Sequence, residues 1–280
     1  MPIIKKFSET EYVDIKNGIR CKNILSPGTL DDDRIIIDYY EMSSKSSLDF
    51  NNNENDITWI QVISGRIDTY YPNTYVPGRR VDVSKIIFIK GSQNINLDSP
   101  KDSTFIVTRM PNYKIHENHA NDTFESDLRI INWGNEPILK SEHDDRKRVY
   151  LISDILAGTD SVKGELIIYP SGTSCPEHYH TGAEHYQFIT SGSALAVLDG
   201  NEYELNQFDL LYNFENEPHW FYTKDSQSCE FAEFFIPGEN KTVWTQTTNV
   251  CTWAPIGTDI NGKSPSRHIE KHVHGEGKNI

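Results

Sequence analysis

The stretch "CPEHYHTGAEHYQFITSG", residues 175 to 192, holds His178, His180, Glu184 and His185 within eight residues. On a β-strand alternate residues face the same side, so His178 and His180 offer two imidazoles to one point from Cα atoms about 7 Å apart. That is the geometry of a metal chelate. The turn signal Thr181-Gly182 places a third donor, Glu184 or His185, on the adjoining strand. A fourth imidazole, His219, follows much later in "NEPHWF". Imidazole serves Fe(II), Zn, Ni and Cu alike, so the cluster points to a metal without naming it.

The elements that must position these residues are short runs rich in β-branched and aromatic residues and bounded by Gly, Pro, Asn or Asp. "ITWIQVISG", "KIIFIKG", "STFIVTRM", "GELIIYP", "HYQFITSG", "SALAVLDG", "DLLYNF" and "CEFAEFFIPG" all read as strands. Asp199-Gly200 adds a hairpin signal, because both residues tolerate the positive φ of a two-residue turn. "RVYLISDILAG" at 148 to 158 reads as a short helix, the one segment with a helical pattern. The class is mainly β, as a barrel or sandwich.

Laying "TWIQVISG" (58 to 65) on "HYQFITSG" (185 to 192) reveals an internal repeat at an offset of 127 residues. With a small gap, "VDVSKIIFIKGSQNIN" falls on "YELNQFDLLYNFENEPHW". Two similar units side by side account for the chain length. We place them at 1–125 and 126–280, with a polar linker around 115 to 146 that carries His116, His119 and His143 towards water. In the first copy Asn51, Asn53 and Thr58 stand opposite His178, His180 and His185, and Ile95 stands opposite His219. The first copy therefore lacks the metal donors. Its loop "TYYPNTYVPGRR" is longer than the counterpart and reads as surface.

The second copy resembles the cupin superfamily, whose first motif runs Gly, five residues, His-x-His, three or four residues, Glu, six residues, Gly. Here stand Gly172, His178, His180, Glu184-His185 and Gly192. Pro218-His219 matches the centre of the second motif, although its turn glycines and proline are replaced by Phe208, Phe214 and Asn216, and its final Asn by Thr223. The resemblance implies two tandem cupin barrels of the double-stranded β-helix, or jelly-roll, type. The N-terminal barrel would be degenerate, and the C-terminal one would hold one divalent metal. It also implies Fe(II) ahead of Zn, Ni or Mn, because two-barrel cupins with one live site resemble dioxygenases.

The motif's spacings disagree about the third ligand. With three residues intervening after His180 comes Glu184, the family's residue type; with six intervening before Gly192 stands His185. Neighbouring strand residues face opposite ways, so one of the two should reach the metal. We expect His178, His180, His185 and His219 as ligands, with Glu184 as the alternative to His185. Glu184, when not a ligand, would serve as acid or base, and Gln187, on the face of His185, would line the pocket. Tyr186 and Phe188 would pack on the other face. Cys175 reads as a packed thiol, and the terminal "SRHIEKHVHGEG", with His268, His272 and His274, as a solvated tail.

The remaining composition narrows the function classes. With 280 residues, a formal charge of −14 and no basic stripe among aromatics, the chain is a poor nucleic-acid partner. No apolar run approaches a membrane span, and the start lacks a signal peptide, so we expect a cytoplasmic protein with its four cysteines reduced. The partner is a small-molecule substrate, and a homodimer through sheet edges stays open. The leading function is a non-haem iron dioxygenase. A redox-neutral metal-dependent cyclase, isomerase or lyase comes second, and a non-catalytic ligand-binding cupin third.

Overall fold

Glu184–Leu198 forms one strand of 15 residues where the sequence suggests two. Its first half pairs with Leu210–Asn213 and Cys229–Ile236, and its second half with Asn201–Asn206 and His219–Tyr222. The register shifts between Ile189 and Ser191, and Gly192 follows with φ +73°. A Cβ at Gly192 would collide with the Ser228 carbonyl oxygen, so only glycine lets the strand bend here from one sheet into the other. Asp199 and Gly200, both at positive φ, close the hairpin that follows.

This computed structural model describes residues 1–71, 78–118, 128–246, 250–277 and 280. The chain divides into two compact units. One comprises Met1–Phe7, His116–Asn121 and Gly134–Ile280, and the other Ser8–Ile115 and Asp122–Trp133. Each is a jelly roll of curled antiparallel sheets, so the fold is the expected pair of tandem barrels. The boundary expected at 125/126, the tip of the long loop (72–77) and His119 lie outside the described residues.

In the N-terminal unit, Ile57–Ser64 lies between Ile86–Lys90 and Ser103–Met110, as Glu184–Gly192 lies between its own neighbours. The repeat is thus one of strand pairing. Its interior is apolar: Phe50, Ile60, Val62, Ile87, Ile89, Ile95, Phe105 and Val107 pack into one buried cluster. Thr58 donates to Asn52 Oδ1 at 2.6 Å, and Asn53 donates to Asp56 Oδ2 at 2.7 Å.

The C-terminal unit has an apolar cluster too, with Ile167, Ile189, Leu205, Leu211, Phe221 and Phe231, but polar residues fill the rest of the interior. The first seven residues belong to it, Ile3–Lys5 pairing with Leu210–Tyr212. Two expectations fail here. Residues 147–152 are a strand, Lys147–Ile152, followed by a single helical turn, Asp154–Ala157. Ser153 caps that turn and Gly158, at φ +74°, ends it. The run Val149, Tyr150, Leu151 and Ile152 is buried throughout, which mimics a helical pattern in sequence.

The tail is solvated only in part: Ser266, His268, Glu270 and Lys271 are exposed, whereas Ile269 and His274 are buried. Thr252–Pro255 pairs with Leu139–Ser141, and His272–Val273 pairs in turn with Thr252–Trp253. Cys251, Trp253 and Ile269 are buried with Leu139 and Tyr150, and these apolar anchors outweigh the charges around them.

Candidate metal centre

His178 and His219 are direct Cα partners on neighbouring strands, and His180 lies two residues on along the same face as His178. His185 enters from the long strand, opposite Asn213 on one side and Phe235 on the other. The ring centroids of His178 and His219 lie 4.6 Å apart, those of His180 and His185 4.7 Å, and those of His185 and His219 4.7 Å. All four are buried, at 6 % exposure for His178 and 1 % for the others. Glu184, next to His185 in the chain, faces the other way and accepts a hydrogen bond from the Tyr212 hydroxyl. The alternation of strand faces thus separates the two candidates.

Backbone carbonyls set the tautomers. His178 Nδ1 lies 2.8 Å from the Pro176 carbonyl oxygen and His219 Nδ1 lies 2.9 Å from that of Glu217, so both donate from Nδ1 and keep a lone pair on Nε2. The third ring, His180, has Nδ1 3.2 Å from Thr242 Oγ1 and 3.1 Å from the Asn240 amide nitrogen; its Nε2 is buried without a hydrogen-bond partner. Lys163 Nζ donates to Asn240 Oδ1, which fixes the amide's orientation.

His185 Nε2 and His219 Nε2 are 3.2 Å apart. Two nitrogens bound to one ion at about 2.1 Å stand roughly 3.0 to 3.4 Å from each other. The donor atoms of His178, His180 and His219 all lie within 4.8 Å of one another, as do those of His180, His185 and Glu233. Burial holds all four rings neutral, with neighbouring imidazoles adding to it at His180, His185 and His219, and Arg146 and Arg148 at His178. The His178 pKa falls to about 4 and the His219 pKa to about 3, and those of His180 and His185 lie well below the usual value. Neutral, convergent and partly unpartnered imidazoles fit a divalent metal. Among the described residues, every such donor group lies in the C-terminal unit.

Behind the histidines lies a polar row of which the sequence reading found Gln187 and missed Glu233 and Glu165. Gln187, Glu233 and Glu165 are Cα partners across three strands and all face inward. Gln187 donates to Glu233 Oε1 at 2.6 Å and accepts from Asn213 at 2.9 Å. Arg148 pairs with Glu165 at 2.6 Å, and His274 Nε2 lies 3.4 Å from the other Glu165 oxygen. Burial, aided by the charge of Glu165, pushes the Glu233 carboxyl up to about 8. Period-two reading could have found this row: in "CEFAEFF", Glu233 shares its face with Cys229, Phe231 and Phe235, and in "GELIIY", Glu165 shares its face with Ile167 and Tyr169. A lone carboxylate on an apolar face is the signal.

His274 is buried and lines a narrow cavity with His178, His219, Glu233 and Arg146. Its volume of about 20 Å³ suffices for a water molecule. A broader outer cleft shares Arg146 and Cys175 with this cavity, so these two stand between solvent and the histidines. Cys175 is buried, its sulfur accepting from the Phe221 amide at 3.2 Å.

The match to known proteins centres on the strands just described. Residues 165–236 match the family model of the cupin domain. No curated protein matches the chain. Among solved structures, oxalate decarboxylase from Bacillus subtilis superposes with a TM-score of 0.67 at 12 % identity, covering 86 % of this chain and 79 % of that one. Protein Ylba from E. coli superposes with a TM-score of 0.65 at 11 % identity, covering 86 % and 93 %. One study of the Bacillus enzyme concerns its Mn(II) centres. At such identities the likeness is one of fold. No helix among the described residues is long and apolar enough to cross a membrane.

Proposed function

We propose that the cupin domain in the C-terminal barrel is the catalytic unit of a metal-dependent enzyme that converts a small organic acid or enolisable carbonyl compound by redox-neutral chemistry, as a lyase, isomerase or cyclase. The observation that carries this reading is the convergence of four neutral imidazoles, His178, His180, His185 and His219, two of which, His178 and His219, line a cavity about the size of one water. A divalent ion held there would supply Lewis acidity. Four or more protein donors leave an octahedral ion at most two positions, fewer than a chelating substrate and dioxygen take together. This consideration moves redox-neutral chemistry ahead of the iron dioxygenase expected from the sequence.

The chain's own residues then do the following. Pro176 and Glu217 carbonyls hold the His178 and His219 rings, and Asn213 and Glu233 hold the Gln187 amide beside the cluster. His274, set against Glu165, which Arg148 fixes, is the side chain placed to take a proton from a bound molecule and return it. Aromatic walls, Trp244, Trp253 and Phe231, exclude water from the inner end. The N-terminal barrel, with an apolar interior, serves as a structural unit.

The test begins with metal content of the protein purified without oxygen or chelators. Small 2-oxo, 2-hydroxy and dicarboxylic acids are then screened by NMR while oxygen is followed by electrode. Product without oxygen uptake supports the reading. Stoichiometric oxygen uptake would assign dioxygenase chemistry instead, and bound metal without turnover of any compound would favour a ligand-binding cupin.

A further inference from the structure

We propose that Glu233 is a carboxylate ligand of the metal centre, supplied from the strand Cys229–Ile236 rather than from the motif. This rests on the reading of the four histidines as a metal site.

Three geometric facts carry it. Glu233 Oε1 lies 3.7 Å from His185 Nε2, and two donors on one ion, each about 2.1 Å away, can be no more than roughly 4.2 Å apart. His180, His185 and Glu233 form one donor group, within which His180 Nε2 is buried and has no hydrogen-bond partner. Glu184, which occupies the motif's glutamate position, faces away towards Tyr212.

Charge points the same way. Four neutral imidazoles leave a divalent ion at +2 inside a barrel, and a single carboxylate lowers the site to +1. Of the two glutamates in the inner row, Glu165 is already matched by Arg148 at 2.6 Å, whereas the donor on Glu233 is the neutral Gln187 amide. The chain thus turns a histidine, His185, towards the site beside the motif's glutamate and offers a glutamate one strand over. In the N-terminal barrel the residue paired with Ile60, the counterpart of Gln187, is Val107, so the carboxylate and the histidines are missing together.

The experiment uses the full chain, stripped of metal and titrated with Co(II) without oxygen, reading stoichiometry, affinity by competition and the visible absorption of the bound ion. Wild type is expected to bind one Co(II). Glu233→Gln should weaken binding about 10- to 100-fold or more and change the absorption, since a ligand's loss should cost at least what loss of a ligand's hydrogen-bond partner costs. Glu184→Gln should change neither, and Gln187→Ala, which removes the hydrogen bond but keeps the carboxylate, should retain the absorption. Unchanged affinity and absorption in Glu233→Gln would overturn the assignment while leaving the histidine site standing. Failure of wild type to bind any Co(II) would overturn the histidine site itself. Should Glu233→Gln not fold, Glu233→Asp, which keeps the charge and withdraws it by one methylene, must still shift the absorption; if it does not, the assignment falls.

Discussion

His185 Nε2 stands 3.2 Å from His219 Nε2, and the two residues are 34 positions apart in the chain. The Glu217 carbonyl holds the His219 Nδ1 proton, so His219 presents a lone pair to its neighbour. Without a metal, His185 must donate its own Nε2 proton across that gap; with one, both lone pairs meet the ion.

It follows that His185→Ala lowers metal occupancy far more than Glu184→Ala. The first removes a buried donor from the cluster, and the second removes a half-buried partner of Tyr212 on the opposite strand face. Elemental mass spectrometry of the two variants purified in parallel decides it, and the reverse ordering would refute the placement of His185.

Acid should destabilise the metal-free protein through the same rings. In the folded chain His178 titrates at about 4 and His219 at about 3, because burial disfavours the imidazolium, whereas in the unfolded chain both titrate near 6.5. Below pH 6.5 the unfolded state therefore binds protons that the folded state refuses. The contribution of these two rings to stability is flat above that value and falls as pH drops towards 4, by up to about 1.4 kcal/mol per pH unit for each ring. Between pH 6.5 and 5 the two rings together account for roughly 3 kcal/mol. Urea unfolding of apoprotein and of His178→Gln/His219→Gln across this window checks the slope. Equal slopes in the two would show that these rings are not the source.

Much of this centre is legible in the sequence because a strand's period of two is rigid: His178 and His180 share one face and His185 and Gln187 another, although period alone does not say whether Glu184 or His185 meets them. Residue type then misleads at Glu184, which satisfies the motif and points away. What stays hidden is whatever depends on pairing between distant strands. Glu233 and Glu165 become neighbours of Gln187 only through the register of three strands, and no local pattern fixes that register. The tail fails for a related reason. Its polar residues stand together in sequence, whereas of the buried cluster that holds it only Ile269 lies among them and Cys251 and Trp253 lie more than ten residues earlier.

That tail gives a third prediction. Ile269 is 1 % exposed, so Ile269→Ala should cost about 2 to 5 kcal/mol locally and loosen the strand that carries His274 into the cavity. Diethyl pyrocarbonate should then modify histidines in the variant that resist it in wild type. Equal modification rates would mean that the tail does not shield the site.

The N-terminal barrel offers the converse test. Asn51 and Asn53, which align with His178 and His180, sit in a unit whose interior is filled by Phe50, Ile60, Ile87, Ile95 and Val107. The Asn53 amide is engaged with Asp56, a loop contact, and Ile95 fills the position aligned with His219. Replacing both asparagines by alanine should leave metal content at the wild-type value, with a loss of stability near 1 kcal/mol for the hydrogen bond removed. A fall in bound metal would place a second site in this barrel and end its reading as a purely structural unit.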